Sequence, residues 1–576
     1  MSNAFDKASL VMLPHAYEDG KLYSLKPTDR SGDFTFSRGS DTATRVGEDG
    51  YIKKEYANLL TQSNSFDTSP WSNVNNTNYT ITSGQTGYDG SNDAWLLDKI
   101  NTGNQYLRHQ SLSTGFVWTA SIYAKANTAD SVMIYVPGGY ATFRLTQGGD
   151  VISSGSQPVD TKIEDVGNGW FRCSVTGTNP QSSYFVQPKD ATGAHTIGSI
   201  YIQDAQLNQG LVAQDYLETT TAPVYGGLTD NMPRLDYTDA TCPSLLLEPS
   251  RTNRIPHSEY YNSFLNYGTG NAVFTPNVAT SPENVENAYK IILNSGRTSG
   301  GGAVSSWAGA FTQGESITFS IFLKADGFDE VQLGGYFQNE NATFNLRDGS
   351  VISQASNVTN AYSVPFGNDW YRCVVTYIFQ NAIGNNFLYS GYKVLAKSNG
   401  VSLIGDGVKG VLAYGAQFEQ GSYPTSYIPT YGSSQTRAAE VMTSDTSSFG
   451  ITEKFTLFID TNGALVSGTS LNTLGDLRWY TQSTNKYRFY KNSDAIFLGN
   501  SIQVNDRTKI ALKITATECK TFVDGVLHST ISLTTPFASF DRIFRNTETK
   551  VKDELNQITL FPTALSDSEC ISLTTL

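Results

Sequence analysis

The stretch Gly167-Asn168-Gly169-Trp170-Phe171-Arg172-Cys173-Ser174-Val175 returns 200 positions later as Gly367-Asn368-Asp369-Trp370-Tyr371-Arg372-Cys373-Val374-Val375. Two further landmarks recur in the same order. Ser121-Ile122-Tyr123-Ala124-Lys125-Ala126 is answered by Ser320-Ile321-Phe322-Leu323-Lys324-Ala325, and Ala205-Gln206-Leu207-Asn208-Gln209-Gly210 by Ala416-Gln417-Phe418-Glu419-Gln420-Gly421. A period this long exceeds that of solenoid repeats, so the repeated unit is a whole domain with its own core. Duplication without a catalytic motif points to multivalent binding.

The residues between these landmarks set the fold class. Aromatics make up 12% of the chain and charged residues only 16%, with 51 glycines. Aromatic and β-branched side chains fit a pleated, half-buried surface, and Gly and Asn tolerate turn dihedrals. The reading is all-β, built from short strands joined by turns. Thr119 to Lys125 and Ser199 to Ala205 alternate as half-buried strands do, and hairpins are predicted around Gly148-Gly149, Asp348-Gly349 and Asp524-Gly525. Ser566 is placed to cap a short C-terminal helix.

With 576 residues, several cores are needed. Five segments follow: an N-terminal attachment and oligomerisation segment over 1–57; a first β-sandwich over 58–221; a Pro-rich connector over 222–252, read as an ordered linker on the surface; a second β-sandwich over 253–436; and a third over 437–576. The N-terminal segment carries Val11, Met12, Leu13, Tyr23, Phe34 and Phe36 but too little chain to bury them alone, so it predicts an arm that packs on another subunit or partner.

A net charge of −13, with no Lys/Arg cluster, argues against nucleic acid as a partner. No apolar run approaches the ~18 residues needed to cross a bilayer, and the N-terminus reads as lacking a signal peptide. The five cysteines are an odd number, and Cys173 and Cys373 fall at equivalent apolar positions, as buried free thiols do.

Several segments together resemble bacteriophage tail-fibre and head-fibre proteins: Phe36-Ser37-Arg38-Gly39-Ser40 through Val46, Pro233-Arg234-Leu235-Asp236-Tyr237, Ser244-Leu245-Leu246-Leu247-Glu248-Pro249-Ser250-Arg251-Thr252-Asn253, the Gly-Asn-x-Trp-x-Arg-Cys motif, and Tyr427-Ile428-Pro429-Thr430. In those proteins carbohydrate-binding-like sandwich modules stand in tandem. The C-terminal stretch is similar to a concanavalin A-like or laminin-G-like sandwich. The resemblance implies three tandem jelly-roll, lectin-like sandwiches in a virion structural protein, displayed on the particle exterior for host adhesion. Its partners would be host-surface or environmental glycans, and other virion proteins through the N-terminal segment, with a homo-oligomer, preferably a trimer. In many of the proteins it resembles, the Arg-Gly-Ser segment runs almost directly into the Pro-Arg-Leu-Asp-Tyr segment. The first sandwich therefore reads as an insertion between Val46 and Pro233.

For glycan stacking the candidates are aromatics in irregular or Gly-rich stretches: Tyr140, Tyr336, Trp479 and Tyr480. Trp170 and Trp370, with Arg172 and Arg372 two residues on, read instead as structural packing pairs. No cofactor is expected. Calcium is the one cation the Asp-rich turns could take, with Asp89 and Asp93 as the candidate ligands. No catalytic residue is assigned: the histidines show no metal spacing and no nucleophile elbow is present. A polysaccharide-degrading fibre is the alternative, because paired carboxylates come from distant strands and leave no spacing signature.

Overall fold

A computed structural model of the chain describes residues 2–72, 78–103, 105–110, 117–155, 158–178, 183–238, 241–263, 265–267, 271–307, 313–335, 338–380, 387–462, 472–483, 486–493, 496–503, 507–538, 540, 542–543 and 553–575. The fold is all-β. The two repeats are β-sandwiches of two six-stranded antiparallel sheets each, and corresponding strands follow the same order in both. In each, a long central strand, Val117–Ala126 or Ser316–Asp326, pairs on one side with the Trp-Arg-Cys strand and on the other with the last strand of the repeat. Alternation sends Ile122 and Cys173 into the first core, and Ile321 and Cys373 into the second. All four are fully buried. Burial with no charged partner pushes both thiols well above their usual range, so they act as small apolar side chains.

The copies also share their polar pins. The Asn58 amide donates to the Ala205 and Leu217 carbonyls, and Asn253 donates to those of Ala416 and Ile428. Hydroxyl pairs join Thr119 to Thr176 and Thr318 to Thr376, each at 2.8 Å. Such side-chain pins satisfy buried backbone carbonyls at the strand crossings, where a ladder bond is missing.

The third sandwich corrects the reading of the N-terminal segment and of the connector. Strand Leu10–Met12 pairs with Asp553–Phe561, and Phe34–Ser37 pairs with Val441–Asp445. Leu10, Met12, Leu22, Phe34 and Phe36 are buried in the same core as Leu457, Trp479 and Leu560. The partner surface these residues need is thus the chain's own C-terminal region, and the burial argument for a trimer through an N-terminal arm lapses. The Pro-rich connector is not a surface linker either. Its strands Arg234–Asp236 and Ser244–Leu247 are buried and extend the sheet that holds Asp553–Phe561. Pro233 and Pro243 stand just before these strands and Pro249 just after, where a missing N–H breaks no ladder. The helix expected after Ser566 forms over Asp567–Thr574, with a capping box between Ser566 and Glu569.

Both repeats are therefore insertions in this sandwich. The first leaves along Ile52–Asn58 and returns along Val224–Gly227, and these two strands pair with each other. The second leaves along Arg251–Asn253 and returns along Gln435–Arg437, again a pair. Where the segments meet, three arginines and two glutamates have fully buried side chains. Arg234 grips Glu440 with Nε and Nη2, each at 2.5 Å, and reaches Glu248 at 2.9 Å. Arg437 lies 3.0 Å from Glu248, and Arg38 3.4 Å from Glu440. Burial works against the Arg234 charge, but Glu440 and Glu248 outweigh it and hold its proton more firmly than usual.

The outgoing strand Ile52–Asn58 also docks on the second repeat. Ile52 joins Phe322, Trp370, Leu412, Tyr414 and Tyr427 in one apolar cluster. Beside it Lys54 lies 2.9 Å from Glu259 and 2.5 Å from Glu283, and donates to the Tyr431 hydroxyl at 2.7 Å. Desolvation opposes the ammonium charge, yet the two glutamates raise its proton affinity well above the ordinary lysine value.

Deleting residues 1–37 removes five buried core side chains from the third sandwich. At roughly 2–5 kcal/mol each, their sum reaches or exceeds the ~5–15 kcal/mol that holds a domain folded. Limited proteolysis of the truncated protein is expected to cleave the C-terminal region while 58–221 stays resistant. A protease-resistant C-terminal region would contradict this architecture.

Candidate functional site

On the outer face of the first sandwich a single register row crosses all six strands of one sheet. Gly155 faces Tyr140, Tyr140 faces Tyr135, Tyr135 faces Phe185, Phe185 faces Arg108, and Arg108 faces Ser72. Side chains directly opposite on neighbouring strands share one face of a sheet. Their inward neighbours Ile134, Tyr184, Val186 and Leu107 fill the core, so the row points away from it. Tyr106, two residues before Arg108 and on the same face, extends the row.

The rings are half-buried. Tyr135 stacks on Phe185 with centroids 4.9 Å apart and planes 15° apart, and Phe185 stacks on Tyr106 at 5.2 Å and 21°. The Arg108 guanidinium lies over the Phe185 ring at 5.3 Å. The result is a band of aromatic edges and faces with hydroxyl tips and one fixed cation. An aromatic face carries partial negative charge and attracts the polarised C–H groups of a sugar ring, while phenol and guanidinium groups bond its hydroxyls.

The second copy does not repeat these residues at the matching register positions. Its corresponding row reads Asn341, Gly334, Gly391 and Ala303. The scaffold is duplicated, but at these four register positions the second copy has no aromatic residue.

Of the stacking candidates, Tyr140 lies in this row. Trp479 does not reach solvent: strand Leu477–Ser483 turns Leu477 and Trp479 inward, and Trp479 is 1% exposed beside Phe489. Its neighbourhood reads as irregular in sequence because its strand partners, such as Lys486–Lys491, are equally polar on their outer face. Tyr480 lies on the same strand, with its side chain outside the described residues, and Tyr336 also lies outside them. Tyr106, Tyr135, Phe185 and Arg108 were not singled out from the sequence. Ser131–Val136 and Ser183–Lys189 do not alternate in sequence, so only the register reveals which of their residues face outward and that they align.

Asp89 and Asp93 close a turn. The Ser91 hydroxyl donates to Asp89 at 2.7 Å and also to Asp93, and the Gln203 amide reaches Asp93 at 2.8 Å. The Ser91 hydroxyl, ahead of all other contacts, holds the Asp89 carboxyl below its usual range. Among the described residues no group of three or more His, Cys, Asp or Glu side chains converges as a metal site.

Trp170 and Trp370 are 1% and 2% exposed. Trp170 lies near Tyr88 and Tyr201, while Trp370 joins the cluster with Ile52 and donates to the Thr280 carbonyl at 3.3 Å. Arg172 covers the Tyr123 ring and donates to the Gln214 carbonyl, and Arg372 covers Phe322 and donates to that of Thr425 at 2.7 Å. Each arginine thus caps an aromatic ring and ties down the segment after the last strand of its repeat.

No protein-family profile matches the chain, and no curated protein sequence matches it. Among solved structures, the N-terminal CBM22-1-CBM22-2 tandem domain of Paenibacillus barcinonensis Xyn10C aligns at 11% identity and a TM-score of 0.22, covering 66% of this chain and 100% of that one. The LG1-3 region of the laminin alpha2 chain aligns at 11% identity and a TM-score of 0.13, covering 80% and 96%.

Trp370→Ala empties an aromatic site at the junction with the outgoing strand and is expected to lower stability by roughly 3–5 kcal/mol. Chemical denaturation followed by the exchange of strand Tyr371–Ile378 checks it. Unchanged stability with lost glycan binding would make Trp370 a ligand platform instead.

Proposed function

We propose that the protein binds glycans through the aromatic row of its first sandwich and serves as a fibre or decoration component on the exterior of a bacteriophage particle. The row Tyr140, Tyr135, Phe185 and Arg108 carries the binding reading. It is a continuous aromatic band on an outer sheet face, present in one copy of a duplicated scaffold and replaced by small residues in the other. An aromatic band on an outer sheet face offers a surface on which a sugar ring can stack. The virion setting is supported by the resemblance of the Arg-Gly-Ser, Pro-Arg-Leu-Asp-Tyr and Leu-Leu-Leu-Glu-Pro segments to phage fibre proteins. Several copies on one particle would convert a weak sugar contact into firm adhesion.

The role proposed here is adhesive, and incubation of the protein with host surface polysaccharide tests it. Retention of intact polysaccharide is expected, and release of shortened oligosaccharides would assign a depolymerase instead. Tyr135→Ala and Phe185→Ala are each expected to weaken retention by roughly ten- to a hundredfold, the equivalent of ~1.5–3 kcal/mol of aromatic surface. Their melting temperatures should stay near the parent's, since both rings are outside the core. Undiminished retention in the double variant would remove the row from the binding site.

A further inference from the structure

A second recess lies away from the aromatic row, where the third sandwich, the Thr44–Val46 strand and the second repeat converge. It is a cleft of about 1460 Å³. Sites for a single small molecule run to roughly 300–1,000 Å³, so this one has room for a ligand of several units.

One wall is polar and built around a bulge. Strand Phe455–Thr461 pairs with Asp553–Phe561, but the register moves from Asp460 opposite Gln557 to Thr461 opposite Leu555. Asn556 is the extra residue, and a bulge of this kind re-aims a side chain. Asn556 donates to Asp460 at 3.1 Å and to Asn462 at 2.6 Å. Arg507 clasps the same Asp460 carboxylate with Nε at 3.0 Å and Nη2 at 2.7 Å. Asp460 is nearly buried while the Arg507 side chain is 56% exposed, so these two bonds leave three of its five N–H groups open to the cleft or to solvent. Gln557 stands beside them on the rim. The opposite wall brings half-buried Tyr362 and Phe366 from the second repeat, with Tyr237 from the connector.

We propose that this cleft binds a neutral oligosaccharide, as a second site independent of the aromatic row. The open N–H groups of Arg507, held in place by Asp460, and the Gln557 amide beside them match the vicinal hydroxyls of a sugar, and the facing aromatic rings match its C–H faces. The charges argue for a neutral ligand. Arg45, Arg372 and Arg507 are balanced by Asp236, Asp460 and Glu554 around the cleft, and Arg507 is already paired. A polyanion would gain little here, and a cation would meet the guanidinium.

Hydrogen exchange on the full chain, with cellohexaose, maltohexaose and xylohexaose as neutral probes and a heparin hexasaccharide as the anionic one, tests the assignment. At least one neutral probe is expected to protect residues 454–462 and 553–561. That protection should survive in Tyr135→Ala/Phe185→Ala, which disables only the row. In Arg507→Ala and in Gln557→Ala the affinity read from this protection should fall about tenfold, the loss of one charge-assisted or strong hydrogen bond. Far-ultraviolet spectra and melting curves check that these substitutions, at exposed Arg507 and half-buried Gln557, leave the fold intact. Protection by heparin alone, protection unchanged in both cleft variants, or no protection by any neutral probe would each overturn the proposal. Loss of protection at 131–144 and 183–189 alone would instead count against the row and leave the cleft standing.

Discussion

Everything in this architecture passes through the buried ion cluster of Arg38, Arg234, Arg437, Glu248 and Glu440. The groups come from the N-terminal segment, from the connector and from the chain just after the second repeat. Charges out of water are expensive, and they are tolerated only when paired and hydrogen-bonded on every side. Most of the spare donors are used: Arg38 reaches the Thr229, Met232 and Ser40 carbonyls, and Arg437 that of Pro249, while Arg437 Nε is buried without a hydrogen-bond partner. The Glu440 carboxylate also takes the Glu248 backbone N–H at 2.8 Å. Such a cluster is complete only when all the segments have met. It sets a single way to join them, which in turn fixes where each inserted sandwich leaves and returns.

Within that frame the two copies have diverged on their surfaces while keeping their scaffolds. In the second copy the outer face around Phe322 and Trp370 is covered by Ile52, with Lys54 neutralised alongside. In the first copy the equivalent face is closed locally: Tyr88 stacks on Tyr123 with centroids 3.8 Å apart and nearly parallel planes, and donates to Asp204 at 3.1 Å. On the opposite sheet the first copy carries the aromatic row, where the second has Gly334 and Gly391 at the matching register positions. One copy is the docking platform for the strand Ile52–Asn58, and the other presents the aromatic band.

The sequence carried the scaffold well because strand alternation and turn chemistry are local. The repeat, the paired Trp-x-Arg-Cys strands, the Asp524-Gly525 turn with both residues at positive φ, and the Ser566 cap all follow from neighbours within a few positions. What the sequence hid depends on partners hundreds of residues away. Leu10 pairs with Leu560 and Phe36 with Met442, so a segment too short to bury its own apolar residues read as an arm seeking another subunit. Arg234 and Glu248 stood in recognisable motifs, yet their partner Glu440 lies outside them. Trp479 looked exposed for want of visible strand partners. Of the aromatic row, Tyr140 was legible from its glycines. Tyr135, Phe185 and Arg108 required the register, since a shift of one residue would have turned them into the core.

Hydrogen exchange on Glu440→Gln tests the organising role of the ion cluster most directly. The substitution keeps the side chain's volume and removes the charge that Arg234 and Arg38 share. If the cluster joins the segments, exchange accelerates together in Leu10–Met12, Arg234–Asp236, Ser244–Leu247 and Asp553–Phe561, while Val117–Ala126 in the first repeat keeps its protection. Acceleration confined to the residues next to position 440, or none, would contradict the account.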